Sequence, residues 1–262
     1  MGLLSFFKSR SSSAARRVSC EVCGASASFL DAVDFNKSCE ESKNIYLPTA
    51  GRVVDYYLCD ACGFCFAPEF RDWTVEEFTE KIYNDDYVKV DPDYVTIRPT
   101  FNAQALHERF GMHKGRLRHL DYGGGSGLLS QTLRENGWNS LSYDPILEPG
   151  KDIAELGVFD LITAYEVFEH VPRIDALCEH LARLCADDGI IRFTTLCSDG
   201  SIQRGQSLAW WYAAPRNGHI SLHSRKSLQQ MMSKYGFSLH SFSLLDHIAF
   251  RHWPDWFSAV QS

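Results

Sequence analysis

Residues His119 to Gly127 read HLDYGGGSG, and the rest of the chain takes its order from them. A run of apolar and basic residues from Gly115 to Leu120 leads in, and a helical pattern from Leu128 to Asn136 leads out, so the sequence predicts strand, glycine turn, helix. Glycines let the backbone turn sharply and let a ligand come close, and the helix behind them offers unpaired N–H groups and the positive end of its dipole. Such a turn suits a nucleotide-like ligand. A dinucleotide fingerprint needs GxGxxG with an acid about 20 residues later. Here Gly123, Gly125 and Gly127 fall as GxGxG, with the acid Asp121 just ahead of them.

Downstream, the strand Asn139 to Tyr143 ends in Asp144-Pro145. A carboxylate at a strand tip offers two oxygens side by side for the two ribose hydroxyls of an adenosine-type ligand. Only 15 residues separate Asp144 from Asp160. A crossover connection alone takes a dozen or more, so the third strand of the sheet is reduced or missing. FDLITA, Phe159 to Ala164, reads as a buried parallel strand and runs into YEVFEHV, Tyr165 to Val171. A helix from Arg173 to Cys185, a strand from Ile190 to Leu196 and a helix capped by Ser224 and stopped by Gly236 follow. Ser238 to Leu245 and Ile248 to Trp253 form a terminal hairpin.

The GxGxG turn resembles the first motif of class I S-adenosylmethionine (SAM) dependent methyltransferases. YEVFEHV resembles the fourth motif of the members that modify small molecules. The resemblance implies an α/β fold with a Rossmann-like, mostly parallel sheet and an antiparallel last strand. It assigns SAM to Asp121, Gly123, Gly125, Gly127 and Asp144, with Tyr165 beside the methionine end and Asp152 with Ile153 at the adenine edge. Sequences of this type often carry a YxxxY segment before the first strand. Here that segment supplies Tyr83 and Tyr87, which either close over the ligand or pack one part of the protein on another.

Cys20-Glu21-Val22-Cys23-Gly24 and Cys59-Asp60-Ala61-Cys62-Gly63 are two CxxCG units. Each can fold as a knuckle that points two thiolates at one ion, and two knuckles complete a tetrahedral sulfur shell that suits zinc. With all four positions filled, the zinc is structural. Short alternating segments between the knuckles, Ser26 to Val33 and Val53 to Tyr57, predict a zinc ribbon over residues 18–66. Cys39 and Cys65 are spare thiols. The expected organisation is a disordered tail at 1–17, the ribbon, an aromatic bridge and helix at 67–114, and the SAM-binding domain at 115–262.

The chain has 262 residues, enough for one α/β domain and a small appendage. Its net charge of −7 argues against a nucleic-acid partner. No apolar run is long enough for a membrane span. The N-terminus lacks a secretory pattern, and Phe6 stands where a myristoylation signal needs Ser or Thr. Nine cysteines in such a chain predict a reducing, cytoplasmic setting with thiols and metal ligands in place of disulfides.

Methyl transfer needs an acceptor atom in line with the S–CH3 bond and, for a hydroxyl, a group that takes its proton. His170 leads the candidates because it follows the fourth strand at the carboxyl edge of the sheet, where ligands sit in this topology. Glu166 and Glu169 are placed to orient it or to act themselves. His219 and His223 lie on the segment expected to face the acceptor, and Trp210, Trp211 and Tyr212 form a lid or pack on the ribbon. The expected reaction methylates a small polar molecule, with a sugar or glycan hydroxyl as the acceptor suggested by family resemblance. Two other readings stand beside it: an RNA methyltransferase whose ribbon grips RNA, and a non-catalytic SAM-binding or protein-docking scaffold.

Overall fold

A computed structural model describes residues 16–258. The reading of the N-terminal tail lies outside them, except for Arg16 and Arg17. Among the described residues, eleven strands form two sheets. In the first, β1 (Arg17–Ser19), β2 (Ser26–Asp34), β3 (Val53–Cys59) and β4 (Cys65–Phe66) run antiparallel in chain order. The second begins with β5 (Arg118–Tyr122), β6 (Asn139–Tyr143), β7 (Phe159–Tyr165) and β8 (Cys185–Thr194), all parallel. The two-residue β9 (Ser221–Leu222) returns to the first sheet, where Cys65 faces Leu222 and Phe66 faces Ser221. β10 (Ser238–Ser241) and β11 (Asp246–Phe250) then close the second sheet in the order β10-β11-β8-β7-β5-β6, with β11 antiparallel to both neighbours.

Buried parallel strands read as continuous apolar runs because both faces are covered. Neighbouring residues of β7, β8 and β11 accordingly enter opposite cores. Leu161, Ile190 and Ile248 pack with Ala103, Leu106 and Phe110 of helix α3 (Ile97–Phe110) and with Trp256 and Phe257. Ile162, Ile191 and Ala249 face the other layer, which holds Leu177 and Leu181 of α5 (Ile174–Leu184) and Leu228 and Met232 of α6 (Arg225–Lys234). Counted in chain order, α1 is Val75–Lys81, α2 is Tyr87–Val90, α4 is Leu128–Glu135 and α7 is Asp255–Ser258. No helix among the described residues is long and apolar enough to cross a membrane.

No strand lies between β6 and β7. The connection is one 3-10 turn, Ile153–Leu156, capped by Asp152, whose Oδ1 accepts from the Ala154 N–H at 2.9 Å. The sheet therefore has six strands, with β6 at its edge, as the short spacing requires. The terminal hairpin is shorter than its apolar pattern because Ser243 Oγ accepts from the Leu245 and Asp246 N–H groups and tightens the turn.

Cys20, Val22 and Phe64 of the ribbon share one core with α5 and α6. Helix α3 belongs to the core of the large sheet, and β9 completes the small one.

Candidate active site and metal centre

Gly123, Gly125 and Gly127 all have positive φ, and Gly127 precedes the first turn of α4. A Cβ on Gly123 would stand 2.5 Å from Val167 Cγ2, so the glycine turn packs directly on the YEVFEHV segment. Gly124 is more crowded still, its hypothetical Cβ falling 2.3 Å from Ser142 Oγ and 2.6 Å from Asp121 Oδ2. A Cβ on Gly125 would meet nothing within 4 Å, which leaves room for a ligand on that side of the backbone.

Asp121 is buried, and Thr163 Oγ1 donates to its Oδ1 at 2.8 Å. Burial pushes its carboxyl up to about 7. Asp144, at the tip of β6, accepts from the Gly125 N–H at 2.9 Å and from the Ile146 N–H at 2.9 Å. With a longer bond from the Leu147 N–H at 3.4 Å to the oxygen that Ile146 holds, these fix the carboxylate and leave a lone pair on the other oxygen for a further donor. These residues fit an adenosine-type cofactor: a cradle that admits no side chain at Gly124, open backbone at Gly125 and an oriented acid beside both. Tyr165 ends β7 with its ring packed toward the α3 side of the sheet.

The four CxxCG cysteines converge. Cys20 and Cys62 Sγ lie 3.6 Å apart, and Cys23 and Cys59 Sγ 3.5 Å apart. These are not disulfide distances; ligands around a tetrahedral zinc with 2.3 Å bonds stand about 3.8 Å apart. The knuckles match each other. The Gly24 N–H donates to the Cys20 carbonyl and the Gly63 N–H to the Cys59 carbonyl, both at 2.8 Å, with both glycines at positive φ. The spare thiols stay out of the cluster. Cys65 is buried in β4, and Cys39 Sγ sits 3.6 Å from His219 Nδ1, its thiol pushed up to about 12 by burial.

Beyond the tip of β7 a second polar cluster forms. One ligand-type atom each of Glu169, His170 and His219 lies within 4.8 Å of the other two. The Glu169 side chain is fully buried, and burial pushes its carboxyl up to about 7. Tyr212 Oη donates to Glu169 Oε1, while Oε2 has no partner. His219 Nδ1 lies 2.9 Å from the Tyr212 carbonyl, and His170 Nδ1 3.2 Å from Tyr83 Oη. Burial holds both imidazoles neutral near pH 7, His170 near 4 and His219 well below its usual value. Burial raises the Tyr83 hydroxyl, and the charges of Asp144 and Glu169 add to the shift.

The other candidates separate from this group. Glu166 has a left-handed backbone, φ 53°, and its carboxylate pairs with Arg98, which also holds Asp91. A side chain held in that region marks stored strain. His223 turns into the core, its ring 4.9 Å from that of Phe64, so the HxxxH spacing does not bring its two histidines to one ion. Tyr87 is buried with its hydroxyl donating to the Asn217 carbonyl. Tyr212 is buried in the ribbon-side core, and the Trp210 carbonyl accepts from Lys37 Nζ at 2.7 Å. Packing, and not a free lid, describes Trp210 and Tyr212; Trp211 is partly exposed. Arg98 and Gly124 are the residues the motif spacing does not single out. The signal for Gly124 is the third consecutive glycine in GGGSG.

A six-stranded sheet of this order, with a glycine turn after its first strand and an acid at the tip of its second, is the class I methyltransferase fold. A family described as a methyltransferase domain matches residues 94–242, more than half of the chain, and the chain belongs to it. No curated protein matches. Among solved structures the chain is similar to the 1,6-didemethyltoxoflavin-N1-methyltransferase of Burkholderia thailandensis, at 18% identity over 78% of this chain and 97% of that one, TM-score 0.47. It is also similar to human N-acetylserotonin methyltransferase, at 16% identity over 70% of this chain and 63% of that one, TM-score 0.44. Magnesium protoporphyrin IX methyltransferase of Synechocystis is 18% identical over 70% of this chain and 95% of that one, TM-score 0.39.

Proposed function

We propose that this protein transfers a methyl group from SAM to a hydroxyl of a small polar acceptor, of which a sugar or glycan precursor is the preferred class, and that the four-cysteine site holds a structural zinc. SAM supplies the activated methyl group when bound. The observation that carries the reading is a glycine turn with an oriented acid, Asp144, at the tips of β5 and β6, together with a buried polar cluster of Glu169, His170 and His219 beyond the tip of β7.

In this reading Asp144 holds the ribose and Asp121 stiffens the turn through Thr163. The Glu169 cluster receives the acceptor oxygen and relieves it of its proton. Of the three, the Glu169 carboxyl near 7 suits proton removal at neutral pH, because a group that takes a proton works best near the ambient value; the neutral imidazoles offer lone pairs that hold the acceptor hydroxyl. The net charge of −7 supports a small molecule over RNA.

Calorimetry with SAM, combined with transfer of labelled methyl groups to a panel of nucleotide sugars, tests the reading. Asp144→Ala is expected to weaken SAM binding at least tenfold, the worth of a lost charged hydrogen bond. His170→Ala and His219→Ala are expected to keep SAM affinity, and at least one to lose turnover. Absence of SAM binding at millimolar concentration would instead identify a scaffold. Unchanged turnover in both histidine variants would remove the cluster from the chemistry.

A further inference from the structure

A buried carboxylate oxygen with no partner is costly, on the order of 1–3 kcal/mol or more for a charged group. Glu169 Oε2 is such an atom. Oε1 is engaged by Tyr212, the neighbouring hydroxyl is that of Thr195, itself buried and unpaired, and no guanidinium or ammonium reaches the free oxygen. Arg98, the cation whose charge is felt there, is already shared between Asp91 and Glu166. Lys37 is committed to the Trp210 carbonyl and to Glu41.

We propose that Glu169, His170 and His219 bind a divalent metal ion, at a site separate from the four cysteines. The atoms that would ligate lie within 4.8 Å of one another. Ligands around an ion with bonds near 2.1 Å stand about 3 to 3.5 Å apart, so side-chain movements on the order of 1 Å close the shell. Among the described residues only this group and the four cysteines bring three such ligands together.

The surroundings are those of oriented ligands. A metal-bound imidazole as a rule donates its other N–H to a carbonyl, hydroxyl or carboxylate, which fixes the ring and its tautomer. His219 Nδ1 faces the Tyr212 carbonyl at 2.9 Å, leaving Nε2 with a lone pair. His170 Nδ1 faces Tyr83 Oη at 3.2 Å. The same Tyr212 that supplies the carbonyl fixes the third ligand through its hydroxyl. One residue thus orients two of the three donors.

Two imidazoles and one carboxylate suit zinc, iron, cobalt or manganese and leave coordination positions open. Those positions favour an acceptor with two neighbouring oxygens, such as a vicinal diol or a hydroxy-carbonyl compound, which chelate together. In this respect the proposal rests on the acceptor-site reading above: the lone pairs of the cluster would meet the acceptor through the ion. Binding of the ion itself does not depend on that reading.

The test uses the full chain with its cysteine site filled by zinc. Cobalt(II) is titrated in, and bound metal is counted by mass spectrometry. The expected result is one additional equivalent showing weak visible d–d bands without the intense thiolate charge-transfer absorption of a cysteine site. Glu169→Gln and His170→Ala should each weaken that binding by about a hundredfold or more, and Tyr212→Phe by about tenfold, the size of an outer-shell effect. Unchanged SAM affinity in each variant, measured by calorimetry, certifies the fold. No cobalt beyond the cysteine site in the wild-type chain would overturn the proposal, as would an extra equivalent unmoved by both ligand substitutions. If wild-type protein binds the extra cobalt but not SAM, the methyltransferase reading fails and the metal site stands.

Discussion

Asp121 is the penultimate residue of β5, its carboxyl shielded from water, and burial raises its pKa from 3.8 to about 7. The folded value is the higher of the two, so between about pH 4 and 7 the folded state keeps a proton that the unfolded chain releases. The corresponding stability is complete below the unfolded value and is lost as pH rises through the folded one. Between pH 5.5 and 8 this amounts to about 2 kcal/mol. Urea unfolding of the SAM-free protein should show Asp121→Asn losing that part of the pH dependence. The comparison with wild type cancels the opposite trend of the cysteine site, whose thiolates are favoured at high pH. Parallel profiles for the two proteins would mean that Asp121 is ionised at neutral pH. The carboxyl was legible in the sequence as the acid before the glycines; its perturbed proton was not, because that depends on Thr163 and on how deeply β5 is buried.

The glycine turn was legible as an element, and its internal logic only in part. GxGxG names Gly123, Gly125 and Gly127, yet steric demand is greatest at Gly124, against Ser142 Oγ and Asp121 Oδ2. Gly124→Ala should destabilise the protein by about 1–3 kcal/mol, the usual range for overpacking. Ser142→Ala should recover part of that loss, a coupling that a thermal-melt double-mutant cycle reads directly. Additive losses would show that the turn gives way elsewhere. The parallel strands and the missing third strand were readable because apolar runs and connection lengths leave periodic or countable marks. The pairing of β4 with β9 was not. Each strand has two residues, too few for any alternation, and the partners are separated by most of the chain. The same difficulty hid the destination of Trp210 to Tyr212, whose aromatic content fits a lid and a packed wall equally well.

Across the whole molecule, β9 is where the ribbon meets the proposed acceptor side. His219 lies two residues before it, and Ile220 and Ser221 N–H groups both donate to the Glu169 carbonyl, at 2.9 and 3.0 Å. Ser224, which caps α6, donates to the Cys62 carbonyl, so a cysteine knuckle also anchors the helix that follows. The ribbon thus holds in place the segment that carries His219, whereas the glycine turn and Asp144 are built within the large sheet. Removing the metal from the cysteine site should therefore act unevenly. A structural zinc supplies folding free energy outright, and its loss should release β4, β9 and the start of α6 while β5, β6 and α4 keep their order. Hydrogen exchange on metal-stripped protein is expected to show lost protection at Phe66, Leu222 and Leu228, retained protection at Leu120 and Leu141, and little change in SAM affinity. Uniform loss of protection across both sheets would show that the two halves fold as one cooperative unit and that the metal supports the donor site as much as the acceptor side.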